Sequence, residues 1–179
     1  LVLYCKPARD YLPHPEACLL TGITPQLADQ QGIPEFKFIM VGKGVEDYKV
    51  IEYAKRNTDW FHYVGNKFHE EKILHFSIAD FQTIPGAVGL NIIDSFSFLC
   101  PLITTSIKNH GPEIAYLANG ENGIMTDVDK EAYVTAIIQV STDKAFKQQL
   151  NDGCNIARQR YSIENMVENF LQGVLKIIN

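Results

Sequence analysis

From Phe36 onward the chain alternates short apolar runs with amphipathic stretches. Phe38-Ile39-Met40-Val41 is apolar at every position, as a strand covered on both faces should be. Gly42-Lys43-Gly44 ends it, and residues 46–57 carry a helical period through Tyr48, Ile51 and Ala54. Phe61-His62-Tyr63-Val64 is the next strand, stopped by Gly65, and residues 68–77 read as a helix with Ile73 and Phe76 inward. Ile78 to Ile84 is a further strand, closed by Pro85-Gly86. Residues 89–99 read as a buried helix through Ile92, Ile93, Phe96 and Leu99. A strand over 101–105, a short helix over 113–117 and a short strand over 123–125 follow.

Three helices close the chain. Residues 129–140 are expected to bury Val134, Ile137 and Ile138, and residues 144–158 to bury Phe146, Leu150, Cys154 and Ala157 at three-to-four spacing. The last helix starts at Ser162, an N-cap residue, with Glu164 in its first turn and Lys176 in its last, the signs the helix dipole favours. Ile163, Met166, Val167, Phe170, Leu171, Val174 and Leu175 give it an unbroken apolar stripe. The opening of the chain differs. Residues 1–5 read as a short strand, but residues 6–34 hold Pro7, Pro13, Pro15, Pro25 and Pro34 and read as irregular, with at most short helical turns near 15–21 and 25–31.

Strands alternating with helices through short turns form βαβ units, and hence a parallel sheet. The expected fold is α/β, a Rossmann-like three-layer domain with the C-terminal helices packed on the sheet. Ligands of such sheets sit at the carboxyl ends of the strands, which singles out loops 42–45, 65–67, 85–89 and 106–113.

Composition narrows the function classes. The 179 residues fit a single domain, since domains typically run on the order of 100–150 residues. A net charge of −5 argues against a broad basic surface and so against nucleic acid as the partner. No apolar run approaches the roughly 18 residues of a membrane helix, and Lys6, Arg9 and Asp10 break up the only apolar start, so no signal peptide is read. Cys5, Cys18, Cys100 and Cys154 form no CxxC pair and read as free thiols of a reducing, cytoplasmic compartment.

The candidate chemistry gathers at the loops. Pro85-Gly86-Ala87-Val88-Gly89-Leu90 follows a strand and opens a helix; glycines admit a ligand close to the backbone, and free N–H groups favour an anion such as a diphosphate. A tight turn that needs two glycines accounts for the same residues. Gly42-Lys43-Gly44 is a weaker copy of this loop and makes neither a Walker loop nor a full dinucleotide fingerprint. His110 and Glu113 can orient a ligand or move a proton, or serve as loop and cap residues. Asp94, one helical turn past Gly89, can reach a ligand's hydroxyls or be a polar residue near a helix start. His62, His69 and His75 fall on separate elements without the spacing of a zinc pair, so no metal site is expected.

Several short words recur in order: Phe36-Lys37-Phe38-Ile39-Met40-Val41-Gly42-Lys43-Gly44, the Pro85–Leu90 loop followed by Asp94-Ser95-Phe96, Pro101-Leu102-Ile103-Thr104-Thr105, His110-Gly111-Pro112-Glu113-Ile114, and Gly120-Glu121-Asn122-Gly123. On these, the chain from about residue 35 to its end resembles the C-terminal half of retaining nucleotide-sugar glycosyltransferases with two facing Rossmann-like domains, the GT-B architecture. The resemblance implies a donor site for a nucleotide diphosphate sugar. Backbone around Val88, Gly89 and Leu90 would meet the phosphates, Asp94 would face the ribose, and the loop from Gly65 to Lys67 would border the base. Gly42, Gly44, Gly86, His110 and Glu113 would complete the surroundings. No metal or other cofactor is implied. The pattern departs from the family in three ways. Gly86 and Asp94 stand where many members have glutamates, the usual first strand with its phosphate-gripping Arg and Lys is absent, and the acceptor-binding domain is missing.

Residues 1–34 resemble something else. Leu3-Tyr4-Cys5-Lys6-Pro7-Ala8, Asp10-Tyr11-Leu12-Pro13 and Leu20-Thr21-Gly22-Ile23-Thr24-Pro25-Gln26 look like a stretch of bacterial exonuclease I, between its first two acidic motifs and without metal-binding carboxylates of its own. The two resemblances meet near Ile33-Pro34-Glu35-Phe36, as in a chimera whose foreign piece supplies the first strand through Leu1–Cys5. Three functions are therefore expected in order: a donor-binding half of a glycosyltransferase, inactive in isolation; an engineered or structural chimera with no activity; and a fragment of a single-strand DNA exonuclease.

Overall fold

The computed structural model describes residues 2–5, 25–33 and 36–178, with the backbone alone for 2–5, 25 and 26. Among them, six strands form one sheet: β1 (Val2–Cys5), β2 (Phe38–Val41), β3 (Phe61–Gly65), β4 (Phe81–Ile84), β5 (Leu102–Thr105) and β6 (Gly123–Thr126). The helices are α1 (Pro25–Gln30), α2 (Asp47–Arg56), α3 (His69–Ser77), α4 (Asn91–Ser97), α5 (Lys130–Thr142), α6 (Lys144–Arg160) and α7 (Ile163–Ile178), with a 3₁₀ turn at Pro112–Tyr116. The helical turn expected near 15–21, and Cys18 with it, lie outside the described residues.

The strands lie in the order β3-β2-β1-β4-β5-β6 and pair in parallel throughout. From β1 the chain steps outward through β2 to β3, then returns to β4 and steps outward on the other side. The direction of winding thus reverses between β1 and β4, and it is beyond the carboxyl ends at such a reversal that open α/β sheets receive their ligands. The segment expected to stand in for a first strand is the central one. β1 pairs with β2 from Val2↔Phe38 to Cys5↔Val41, and with β4 at Val2↔Phe81 and Leu3↔Gln82.

Alternate strand residues feed two cores. Phe38, Met40, Phe61, Phe81 and Ile103 pack on one face against Ala28 of α1, Val50 of α2, Leu150 of α6 and Tyr133, Ala136, Ile137 and Val140 of α5. Ile84 and Leu102 meet Ile92 and Phe96 of α4 and Cys154 and Ala157 of α6 on the other face, where Ile39 and Val41 meet Phe76 of α3. Burial on both faces explains why the strands lack polar alternation. Gln82 and Thr83 of β4 and Thr104 and Thr105 of β5 are the buried polar exceptions, and neither side-chain amide atom of Gln82 has a hydrogen-bond partner among the described residues.

Five details depart from the sequence reading. β4 begins at Phe81 rather than Ile78, because Ile78 caps α3 in the helical region and Asp80 turns outward to Lys147. Helix α2 buries Val50 and half-buries Tyr53 and Ala54, leaving Tyr48 and Ile51 exposed. Its inner face is set by ring packing, with Tyr53 edge-on to Phe61 at 5.0 Å and Phe61 stacked on Phe38 at 5.3 Å. Ile73 is exposed, and Phe76 is the residue that α3 buries. Leu99 is also exposed, with φ +52, because α4 stops at Ser97 and Cys100 takes the inward position. In α5 the fully buried face runs through Tyr133, Ala136, Ile137 and Val140, with Val134 and Ile138 only half-buried. Cys100 and Cys154 are buried and outside any disulfide; of Cys5, only the backbone is described. None of the described helices is long and apolar enough to cross a membrane.

Candidate functional site

The loops after β2, β3, β4 and β5 share the carboxyl edge of the sheet. Those after β2 and β3 are tied together where Gly42 N–H donates to Gly65 C=O at 2.9 Å. Both glycines hold positive φ, +135 and +67, a conformation L side chains resist. Gly44 N–H donates to Asp47 Oδ1 at 2.6 Å. Burial, and then the hydrogen bond to the Asp47 carboxylate, push the Tyr63 hydroxyl up to about 12. Lys67 Nζ lies 2.9 Å from Glu71 Oε1, and that hydrogen bond holds the Glu71 carboxyl below its ordinary range. The positive φ thus accounts for Gly42 and Gly65, Gly44 contributes an N–H to Asp47, and Lys67 is already paired.

The loop after β4 is different. Pro85 C=O accepts Thr105 Oγ1–H at 2.6 Å, and Val88 N–H donates to His110 Nδ1 at 3.2 Å. His110 Nε2 lies 2.6 Å from Thr105 C=O, so a ring carrying its proton on Nε2 satisfies both bonds. His110 is therefore a brace that ties the β5 loop to the β4 loop, and it engages the Val88 N–H expected to meet a ligand. Glu113 folds its carboxyl against Gly111, where a Cβ would lie 2.3 Å from Glu113 Oε2.

Gly86 and Gly89 have no such structural reason. Neither holds a positive φ, and a Cβ built on either meets nothing within 4 Å. A tight turn does not require these two glycines. What they leave is open space beside the backbone at the point where the winding of the sheet reverses. The N–H groups of Gly89 and Leu90 have no hydrogen-bond partner among the described residues, and the Leu90 side chain is 68% exposed. Helix α4, with seven residues, adds little dipole, so the individual N–H groups matter more than the helix.

Asp94 sits one turn further along α4, half-buried, with Oδ2 2.5 Å from Lys72 Nζ of α3. Reasoning from sequence missed Lys72. The pair spans 22 positions, and no local pattern marks it.

The comparisons with known proteins point two ways, a short segment to one protein and the fold of nearly the whole chain to others. No family model matches. A segment of 37 residues is 62% identical to exodeoxyribonuclease I of Escherichia coli (strain K12), covering 21% of this chain and 8% of that protein. A segment of 38 residues is 50% identical to exodeoxyribonuclease I of Haemophilus influenzae, again 21% and 8%. In contrast, solved glycosyltransferases match nearly the whole chain in fold. The pneumococcal O-GlcNAc transferase GtfA in complex with UDP and GlcNAc superposes with TM-score 0.75 at 15% identity, over 99% of this chain and 35% of that one. Anabaena HepE in complex with UDP-glucose gives 0.69 at 15%, over 98% and 48%. Sucrose-phosphate synthase from Thermosynechococcus elongatus gives 0.71 at 19%, over 99% and 45%. This chain spans less than half of each structure and about a twelfth of the exonucleases. At 15–19% identity the likeness is one of fold.

Proposed function

We propose that this chain is the donor-binding half of a glycosyltransferase, holding a nucleotide diphosphate sugar in the crevice between the carboxyl ends of β1 and β4. The observation that carries the reading is the loop at residues 85–90. It places two glycines with no steric or backbone need beside two N–H groups without a partner among the described residues, where a doubly wound sheet receives its ligand. Backbone donors suit a diphosphate because they supply partial positive charge without long side chains to immobilise. The reading assigns the phosphate charge to these donors rather than to a metal ion. Neighbours of the same fold solved with UDP or UDP-glucose support it. Transfer to an acceptor would need an acceptor-binding domain outside these residues.

Titrating UDP and UDP-glucose into the chain while recording backbone amide shifts and melting temperature tests the reading. Shifts at residues 86–90 are expected, with a melting temperature that rises with donor concentration, since a ligand that binds the native state must stabilise it. Unmoved amides at millimolar donor would overturn it. A second reading, a joined scaffold without activity, is favoured by the contrast between 62% identity to one protein over 37 residues and 15–19% identity to fold neighbours over nearly the whole chain. It predicts cooperative unfolding that no donor shifts.

A further inference from the structure

Val88, Gly89 and Leu90 carry three successive N–H groups, and one of them is taken. Val88 N–H donates to His110 Nδ1 at 3.2 Å, whereas those of Gly89 and Leu90 have no acceptor among the described residues. The stretch around His110 lies directly on this turn, since a Cβ on Gly111 would stand 3.8 Å from Val88 C=O.

The two ring contacts dictate the charge of the imidazole. A carbonyl oxygen only accepts, so Nε2, 2.6 Å from Thr105 C=O, carries a proton. An amide N–H only donates, so Nδ1 presents a lone pair. The ring in this arrangement is therefore neutral. A second proton, on Nδ1, sets two donors against each other, Nδ1–H and Val88 N–H. An anionic oxygen placed between them removes the conflict, because it accepts from both. Its charge also favours the imidazolium. Successive backbone N–H groups are a common seat for phosphate, so the anion that suits Gly89 and Leu90 suits this switch of the ring as well.

Few other titratable groups compete for that proton. Residues 85–90 have none, nor do β5 and β6. Helix α4, which packs on the 3₁₀ turn after His110, has Asp94, held by Lys72. Asp127 follows the Thr126 C=O that accepts Ser106 N–H. The loop of His110 itself adds Lys108 and Glu113, whose carboxyl folds against Gly111.

We propose that His110 is a proton-linked phosphate ligand. When a nucleotide diphosphate sugar docks on the 88–90 amides, the Nδ1 lone pair takes a proton from solvent and releases Val88 N–H, and both groups then donate to one phosphate oxygen. The ring is a brace in the free chain and a ligand in the complex. This rests on the donor reading above.

Titrating UDP-glucose into the full chain by calorimetry, in buffers of different ionisation enthalpy, counts the protons taken up per donor bound. UDP-glucose is the probe because its phosphates lack the monoester ionisation that falls near neutrality. The parent chain is expected to take up as much as one proton, with affinity strengthening toward acid by no more than about tenfold per pH unit, the limit for a single linked proton. H110N puts a group that does not ionise where Nδ1 stands. It is expected to bind more weakly, without uptake and without the pH dependence, and H110Q gives the same readout should the melting temperature show H110N unfolded. E113Q and D94N keep the uptake. A parent chain that binds without taking up a proton overturns the inference. So does uptake that persists in H110N, or that is lost in E113Q or D94N instead. A parent chain that binds no UDP-glucose defeats the donor reading itself, a different outcome from these.

Discussion

Helices α6 and α7 are consecutive, have 17 and 16 residues, and both carry apolar side chains at helical spacing. One is built into the protein and the other is not. Helix α6 buries Leu150, Cys154 and Ala157. Its backbone comes so close to the loop before β6 that a Cβ on Gly153 would lie 2.0 Å from Glu121 C=O. Polar contacts follow the same line: Gln149 Nε2–H donates to Gly120 C=O at 2.8 Å, and Cys154 Sγ–H to Asn122 C=O at 3.2 Å. Burial pushes that thiol up to about 12. Helix α7 has the wider stripe, yet each of its sixteen residues is exposed, Phe170 at 75%. It is held at its start, where Ser162 Oγ accepts Asn165 N–H at 3.2 Å and Asn165 Nδ2–H donates to Gln159 C=O at 2.7 Å. A hydrophobic period therefore specifies a face, while burial of that face needs partners from elsewhere in the chain.

The largest effect expected from this contrast is at Leu150, which is 0% exposed and joins α6 to the core around Phe38 and Ile137. L150A should cost about 2–5 kcal/mol, combining lost transfer energy with the cavity left behind. The urea midpoint checks it. A loss well below that range would mean that α6 is as loosely held as its neighbour.

The same distinction governs how much of the molecule its sequence revealed. Runs such as Phe38–Val41 are legible because burial on both faces leaves a local signature. The loops at 42–45 and 85–89 are legible because glycine marks where strands end. Four things are not local. The inner face of α2 depends on Trp60, just before β3, and Phe61 at its start, so a period through Tyr48 and Ile51 fitted equally well on paper. His110 reads as a loop residue or a proton carrier until its two ring bonds to Val88 and Thr105 are seen. Asp94 was visible as a candidate, but its lysine partner on another helix was not. The central position of β1, whose four residues carry few local cues, follows from its pairing with β2 and β4.

A smaller effect separates the polar moorings. Lys147 of α6 lies 2.5 Å from Asp80, just before β4. Burial alone would raise the Asp80 carboxyl, but the hydrogen bond from Lys147 helps bring it below its ordinary range. A carboxyl lowered in the folded state stabilises the fold above its unfolded pKa, near 3.9, and that contribution disappears as pH falls through the lowered value. Both side chains keep a third or so of their surface, so screening limits the pair to below about 1 kcal/mol. K147M should therefore unfold at slightly lower urea than the parent at pH 7, with the gap closing as the solution is acidified below the ordinary aspartate range. A gap that persists at low pH would assign the loss to packing of the lysine stem instead.

The smallest effect is expected on α7, and it is the most direct probe of the comparison. V167Q/F170Q replaces two apolar residues of the stripe with a good helix former, so helical propensity is kept while apolar area is removed. Were the stripe packed like that of α6, losing a phenylalanine and a valine would cost several kcal/mol. Because both side chains already face solvent, the expected change in unfolding free energy is within about 0.5 kcal/mol, read from urea denaturation of the dilute chain. The Ser162 cap lies outside the substituted positions, so the helix keeps its start. A loss above about 1 kcal/mol, outside the usual range for exposed positions, would show that Val167 or Phe170 is covered in solution and that α7 belongs to the folded core after all.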